Sequence, residues 1–260
     1  MRELDRSAVV TANDAWVLNP PGAEVVETGE YRLARFPDGF PDPLQLSWLR
    51  TDRPAEDVLA EVVARAAEFG LPELFVYVKL SAPAGLDEAL LARGARLAVT
   101  CDVLARPLPA TMAATEPAGL ELRWRTESRV ARDANLVGIA AFGGSPAPEE
   151  ALAERAASDR ESFAAGGGGG IVAYLDGEPV GTAGLELVDG VARLAGGTVL
   201  EKYRGRGVYR ALLAARLSYA AEHGGVLAFT HGVVTTSSPI LRRLGFTAYG
   251  QERMYRLPLA

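Results

Sequence analysis

Glu201-Lys202-Tyr203-Arg204-Gly205-Arg206-Gly207-Val208-Tyr209-Arg210 stands between a run of small and apolar residues, Val191 to Leu200, and an alanine- and leucine-rich run, Val208 to His223. The first run reads as a strand. The second reads as a helix with Val208, Leu212, Ala215 and Tyr219 on one face and Gly224-Gly225 as its stop signal. Between them, Gly205 and Gly207 let the backbone come close to a ligand, and the helix's first turn leaves N–H groups without intrahelical acceptors. Those donors and the positive end of the helix dipole favour an anion, and Arg204, Arg206 and Arg210 add positive charge at the rim. The expected ligand is a phosphate or diphosphate.

Three phosphate-binding loops share this layout, and residue types separate them. A P-loop carries Lys-Ser/Thr after its last glycine, where Val208-Tyr209 stands. A dinucleotide fingerprint needs a third glycine, where Arg210 sits, and an acid after the next strand, where Thr230-His231 sits. What remains is Arg-x-x-Gly-x-small over Arg204 to Tyr209, which resembles the diphosphate loop of the GCN5-related N-acetyltransferases (GNAT); the family usually has Gly or Ala where Tyr209 stands. Ser237-Ser238-Pro239-Ile240-Leu241-Arg242-Arg243-Leu244-Gly245-Phe246 is similar to that family's final helix and its Gly-Phe ending, followed by a terminal strand, Arg253 to Leu257. Many members carry a tyrosine general acid four residues before that glycine, and Leu241 occupies the position here.

The resemblance implies an acetyl-CoA cosubstrate, no metal, and direct attack by a bound amine. Its diphosphate would lie on Arg204, Gly205, Arg206, Gly207, Val208 and Tyr209. The backbone N–H of Val199 or Leu200 would meet the thioester carbonyl where the family's central strand bulges, a distortion that Gly196-Gly197 suits. Glu186 and His231 are the candidate bases, and Tyr209, with Tyr249 and Tyr255 behind it, the candidate acid.

Net charge near −6 argues against a nucleic-acid partner and suits an amine substrate. The single cysteine, Cys101, excludes an internal disulfide framework and reads as a small buried side chain. The start, Met1 to Arg6, lacks a signal peptide's apolar core, and no apolar run is long enough to span a bilayer, so a soluble, cytoplasmic monomer or homodimer without a membrane partner is expected. Lysine occurs only at 79 and 202 against abundant arginine, a coding bias rather than chemistry.

Upstream, the order strand, helix, strand, helix, strand runs through Leu44–Leu49, a helix with Val58, Leu59, Val62, Val63 and Ala66 as its stripe and Asp52 as its cap, Leu74–Leu80, Leu86–Ala92 and Ala95–Leu104. It repeats the plan of the C-terminal half, and Leu90-Leu91-Ala92-Arg93-Gly94-Ala95 echoes Leu241 to Phe246. Its counterpart of the loop, Arg50 to Asp57, has no glycine and three acids, so no cofactor is expected there. The expected fold is α/β (α+β) with two GNAT-like domains, each a mixed, mostly antiparallel sheet flanked by helices, the C-terminal one complete. The expected boundaries are 1–107 for the degenerate domain, 108–118 for the linker and 119–260 for the catalytic domain.

Within the second half, helices Ser128–Phe142 and Pro148–Ala165 are those that line the acceptor site in the family, which places specificity around Gly138 to Pro146. The five glycines 166–170 read as a flexible connector. The expected function is transfer of an acetyl group to a primary amine of a small molecule. Alternatives are a non-catalytic acyl-CoA binder, for which Leu241 is the best support, transfer to a protein amine, and a longer acyl donor. A mycothiol-synthase-like enzyme ranks lower, because the Asn and Tyr of its final motif are replaced by Val234 and Leu241.

Overall fold

The computed structural model describes residues 4–37, 39–40, 42–109, 112 and 117–259. Of the expected linker, residues 110, 111 and 113–116 lie outside the described residues, as do Met1–Glu3, Asp38, Pro41 and Ala260. In chain order the elements are α1 (Arg6–Ala15), β1 (Glu24–Glu27), β2 (Tyr31–Arg35), β3 (Leu44–Leu49), α2 (Ala55–Ala67), β4 (Glu73–Val78), α3 (Leu86–Ala92) and β5 (Arg96–Pro107). There follow β6 (Leu120–Trp124), α4 (Ser128–Phe142), α5 (Glu149–Ala164), β7 (Gly168–Leu175), β8 (Glu178–Val188) and β9 (Val191–Val199). After a single 3-10 turn at Glu201–Tyr203 come α6 (Val208–Glu222), β10 (Leu227–Val233), α7 (Ser237–Arg243) and β11 (Thr247–Pro258).

Two compact units divide this chain: a central unit, 105–230, and an N-terminal unit made of 4–104 together with 231–260. The division departs from the expected boundary at 119, because the last thirty residues join the first half. The reason is strand pairing: β11 lies antiparallel to β4, with six partnered residues from Arg253–Val78 to Pro258–Glu73.

Each unit is a mixed, mostly antiparallel sheet with helices against it, and both share one plan. In the N-terminal unit β1, β2 and β3 form an antiparallel meander, and α2 crosses over to β4, parallel to β3. In the central unit β6 to β9 form the meander, and α6 crosses over to β10, parallel to β9. Parallel neighbours need such a crossover, and a helix supplies it. Alternation along β3 and β4 sends Leu44, Leu46, Leu74, Val76 and Val78 into a core with Val58, Leu59 and Val62 of α2 and Leu86 and Leu90 of α3. In the central unit Ile171, Ala173, Val180 and Ala183 pack on Val208 and Leu212 of α6.

Three local expectations are corrected. Helix α1 goes unread in the sequence, although Asp5 caps it by accepting from Ser7 N–H at 3.0 Å; its buried face, Val9, Ala12 and Asn13, is too short and too polar to show a period. Helix α2 opens at Pro54 without a side-chain cap, so Asp52 does not serve as one. The five-glycine run is no flexible connector: Gly168 to Gly170 open β7, paired with Glu186, Leu185 and Gly184. Side chains are excluded there by close packing, since a Cβ at Gly167 would lie 2.7 Å from Ser162 Oγ, at Gly168 2.7 Å from Leu185 O, and at Gly170 2.6 Å from the Arg125 guanidinium.

Candidate active site

The 3-10 turn after β9 is closed by Tyr203 N–H to Leu200 O at 2.9 Å and Arg204 N–H to Glu201 O at 3.1 Å. Gly205 (φ 77°) and Gly207 (φ 87°) then take the left-handed conformation, which turns the chain into α6. The first ladder bond of the helix is Ala211 N–H to Gly207 O at 3.0 Å. The N–H groups of Val208 and Tyr209, in the first turn, therefore have no ladder acceptor. Nothing within 4 Å would meet a Cβ at Gly205, and Arg204, Arg206 and Arg210 are all exposed. Glycine conformation, the main-chain donors of Val208 and Tyr209 and surrounding cations together make a cradle that fits a diphosphate.

Two features fix the strand that leads into this loop. Between Thr182–Thr198 and Gly184–Ala195 the β8–β9 register slips, so the extra residue falls in Gly196-Gly197, with Gly196 at φ 58°. This is the bulge that the glycine pair suggested. Beyond it, Leu200 N–H donates to Val180 O at 2.9 Å. Antiparallel alternation then turns the N–H of Val199, paired with Gly181, away from β8. On that side β9 pairs with β10 only from Val191 to Arg193, so Val199 lies well past the last pair. Of the two expected carbonyl donors, Leu200 is thus already committed and Val199 is the one turned outward. Arg204 Nε donates to Val199 O at 3.2 Å and ties the loop to this strand end.

Beneath the bulge sits Arg216, 1% exposed. Its Nε donates to Leu212 O at 3.1 Å and its Nη1 to Gly184 O at 3.0 Å, and it lies close enough to the Tyr209 phenol to influence its charge. Burial lowers the guanidinium's pKa, and burial raises that of the phenol while Arg216 pulls it back down. A Cβ at Gly197 would lie 3.1 Å from the Tyr209 ring and 3.5 Å from Arg216 Nη2. The large residue at 209 is thus matched by the absence of a side chain at 197. Sequence reasoning missed Arg216, yet it follows Leu212 by four residues, on the apolar face.

A cavity of about 520 Å³ meets the same bulge, within the ~300–1,000 Å³ typical of small-molecule sites. Its walls include Gly138, Ile139 and Phe142 from the end of α4, Ser145 just beyond it, Arg155 from α5, and Gly184 and Gly196. The stretch expected to set specificity, Gly138 to Pro146, does line a cavity. Arg125, also on the wall, is held by Asp159 at 2.6 Å, and Asp159 further accepts from Gly170 N–H at 2.9 Å.

The other named residues lie elsewhere. Glu186 pairs with Arg193 at 3.1 Å, its side chain is 58% exposed, and it is not on the cavity wall. His231 falls in the N-terminal unit, stacked on Trp16 with ring centroids 5.1 Å apart. The Tyr255 hydroxyl donates to Asp87 at 2.7 Å in that same unit, and burial first, then Asp87, push its pKa up to about 12. Tyr249 also belongs there, and its carbonyl accepts from Arg6. Leu241 is buried. Burial raises the half-buried Cys101 thiol to about 11, far from a reactive thiolate. Among the described residues no cluster of metal-ligating side chains occurs, and no helix is long and apolar enough to cross a membrane.

The glycine loop, the bulged strand and the cavity beside it can be set against known proteins. Residues 131–246, somewhat less than half of the chain, match the family described as "Acetyltransferase (GNAT) family". Among solved structures, a GCN5-related N-acetyltransferase from Kribbella flavida superposes with a TM-score of 0.65 at 20% identity, covering 90% of this chain and 89% of that one. One from Sphaerobacter thermophilus gives 0.67 at 19%, covering 90% and 82%. A tandem GNAT protein from the clavulanic acid biosynthesis pathway gives 0.65 at 20%, covering 97% and 88%. At these identities the likeness is one of fold. No match is found among curated proteins.

Proposed function

We propose that the chain is an acetyl-CoA-dependent N-acetyltransferase that acetylates a primary amine of a small molecule by direct attack. The observation that carries this is the meeting, within one unit, of the Gly207-capped helix, the outward N–H of Val199 and a cavity that reaches the bulge at Gly196. Bound acetyl-CoA would supply an activated thioester. Arg204, Gly205, Arg206, Gly207, Val208 and the backbone of Tyr209 would hold its diphosphate, and Val199 N–H would donate to the carbonyl oxygen as negative charge develops there.

The acceptor amine would enter through the cavity walled by Gly138 to Ser145, between α4 and the bulge. No side chain on its wall is a carboxylate or histidine, so the ammonium proton leaves to solvent or through ordered water rather than to Glu186. Tyr209, whose ring packs against Gly197 of the bulge, remains the candidate proton source for the departing thiolate. The N-terminal unit is proposed as the degenerate copy. Arg53, in its counterpart of the loop, is engaged by Glu30 at 2.9 Å and by Glu61.

Thiol release from acetyl-CoA across a panel of small amines tests this reading. Saturable release with one amine class, together with the acetylated product, supports it. Protection against heat by CoA with no thiol release favours the non-catalytic binder, and release only with peptide amines or longer acyl donors shifts the substrate class.

A further inference from the structure

The N-terminal unit buries its two sheet faces differently. One face is the apolar core against α2 and α3. The residues that alternate onto the other face include, beside apolar Ala34 and Phe75, the polar Arg32, Gln45, Ser47, Tyr77, Lys79 and Glu252. Arg32, Gln45, Ser47 and Lys79 are no more than 6% exposed, and the Glu252 side chain is 11% exposed. Burying this many polar groups costs free energy that an apolar face would avoid. All of them but Arg32 line a cavity of about 190 Å³, room for about six water molecules, whose walls also include Trp16, Val17, Leu18 and His231.

The hydrogen bonds on this face are not all spent on one another. Lys79 caps the C-terminal end of α1 by donating to Asn13 O and, at 2.8 Å, to Trp16 O. Arg32 donates to Ser47 at 3.1 Å and pairs with Glu27 at 3.2 Å. Both neighbours of Glu252, Asn13 Nδ2 at 2.8 Å and His231 Nε2 at 3.4 Å, approach the same oxygen, Oε2. Among the described residues no hydrogen bond reaches Oε1. Gln45 uses its amide nitrogen on Asp42 O at 3.1 Å, and Tyr77 donates to Asp42 at 3.3 Å, which leaves Gln45 Oε1 and the Tyr77 oxygen as acceptors. The wall thus offers Glu252 Oε1, Gln45 Oε1 and the Tyr77 oxygen as acceptors, with the Ser47 hydroxyl and the second Gln45 N–H as donors beside them.

The charges point the same way. Lys79 and Glu252 are the oppositely charged pair on the wall; Lys79 is engaged by the carbonyl end of α1, whereas both neighbours of Glu252 approach one of its two oxygens. Burial pushes the Glu252 carboxyl up, but His231, Lys79 and Asn13 outweigh it and hold the group below the usual carboxylate range. We propose that this cavity is a binding site for a small hydroxylated amine carried as its ammonium, with Glu252 Oε1 accepting from the cation, Gln45 and Tyr77 accepting from its remaining donors, and Trp16 walling its carbon skeleton. The site does not rest on the acetyl-transfer reading, since all its residues lie in the unit that lacks the glycine loop.

Calorimetry on the full chain without acetyl-CoA, with ethanolamine as probe and ethylene glycol and acetate as comparators, tests it; the Trp16 indole N–H proton resonance reports occupancy. Saturable binding of ethanolamine that shifts the Trp16 signal and weakens at least tenfold in both Glu252→Gln and Gln45→Leu is expected. Phe142→Ala, on the other cavity, should leave it unchanged. Absence of binding at tens of millimolar, preference for glycol or acetate, or binding lost in Phe142→Ala but kept in Glu252→Gln overturns the proposal. Should Glu252→Gln fail to fold, Gln45→Leu and the probe comparison decide alone.

Discussion

Replacing Arg216 with methionine should leave the protein folded and make it a poor catalyst. The guanidinium makes two hydrogen bonds to carbonyls, at 3.1 and 3.0 Å, besides its contact with Tyr209. Charged hydrogen bonds contribute about 1.5–3 kcal/mol each, or about 3–6 kcal/mol together. Against this stands the cost of holding a guanidinium at 1% exposure, several kcal/mol per ion, with no carboxylate among its partners. The two nearly cancel. Methionine keeps most of the volume, so Arg216→Met should cost only about 0–2 kcal/mol, whereas Arg216→Ala adds a cavity and should cost about 3–5 kcal/mol. The effect on turnover is separate, because Arg216 anchors Gly184 opposite the bulge that aims Val199 N–H. A displaced donor costs on the order of 10²-fold in rate, so kcat should fall about 10–100-fold in Arg216→Met. Urea unfolding gives the stability, and thiol release at saturating acetyl-CoA gives kcat. A methionine variant within twofold of wild type in kcat would refute the claim that the buried cation holds the reacting strand.

Gly170→Ala should destabilise the central unit by about 1–3 kcal/mol in urea unfolding, because its Cβ must displace the Arg125 guanidinium from Asp159; an unchanged midpoint would mean that the guanidinium moves at no cost. Asp87 accepts from Arg253 at 2.6 and 2.7 Å and from Tyr255 at 2.7 Å. Burial raises its carboxyl pKa, but these bonds outweigh that and leave it below the ordinary value. A depressed folded pKa contributes stability above the unfolded pKa, about 3.9, which is lost as pH falls through the folded value. Asp87→Asn should therefore cost about 1–2 kcal/mol at pH 7, allowing for 30% exposure, and flatten the loss of stability below pH 4; an acid limb parallel to wild type would contradict this. Glu186→Gln should leave kcat and its pH profile within twofold of wild type, since its carboxylate pairs with Arg193 and does not line the cavity; loss of the basic limb would restore Glu186 as the base.

The glycine loop and its helix were legible because their signals are local: positive φ at two glycines, a 3.6-residue apolar period and a stop at Gly224-Gly225. The bulge was legible for the same reason, in Gly196-Gly197. What the sequence hid depends on pairing across long separations. Nothing local in Arg253 to Pro258 indicates that this strand joins Val78 to Glu73, so the boundary at 119 could not reveal the division at 230. His231 looked like a base at the end of a strand, but its setting is made by Asn13, Trp16 and Glu252, far away in the chain. The glycine run 166–170 misled because the side chains that require it, Arg125, Ser162 and Leu185, are remote or non-adjacent. Composition recorded the glycines and not what lies against them.

The central claim is that main-chain donors around Gly207 hold the diphosphate of acetyl-CoA. Titrating acetyl-CoA into the purified chain and into Gly207→Val by calorimetry tests it most directly, because a β-branched residue at φ 87° costs about 1–2 kcal/mol of backbone strain and puts a side chain where the ligand must approach. One saturable site in the wild type, weakened at least tenfold in a variant whose circular dichroism is unchanged, is the predicted result. Equal affinity in the two proteins, or no heat of binding in either, would contradict it.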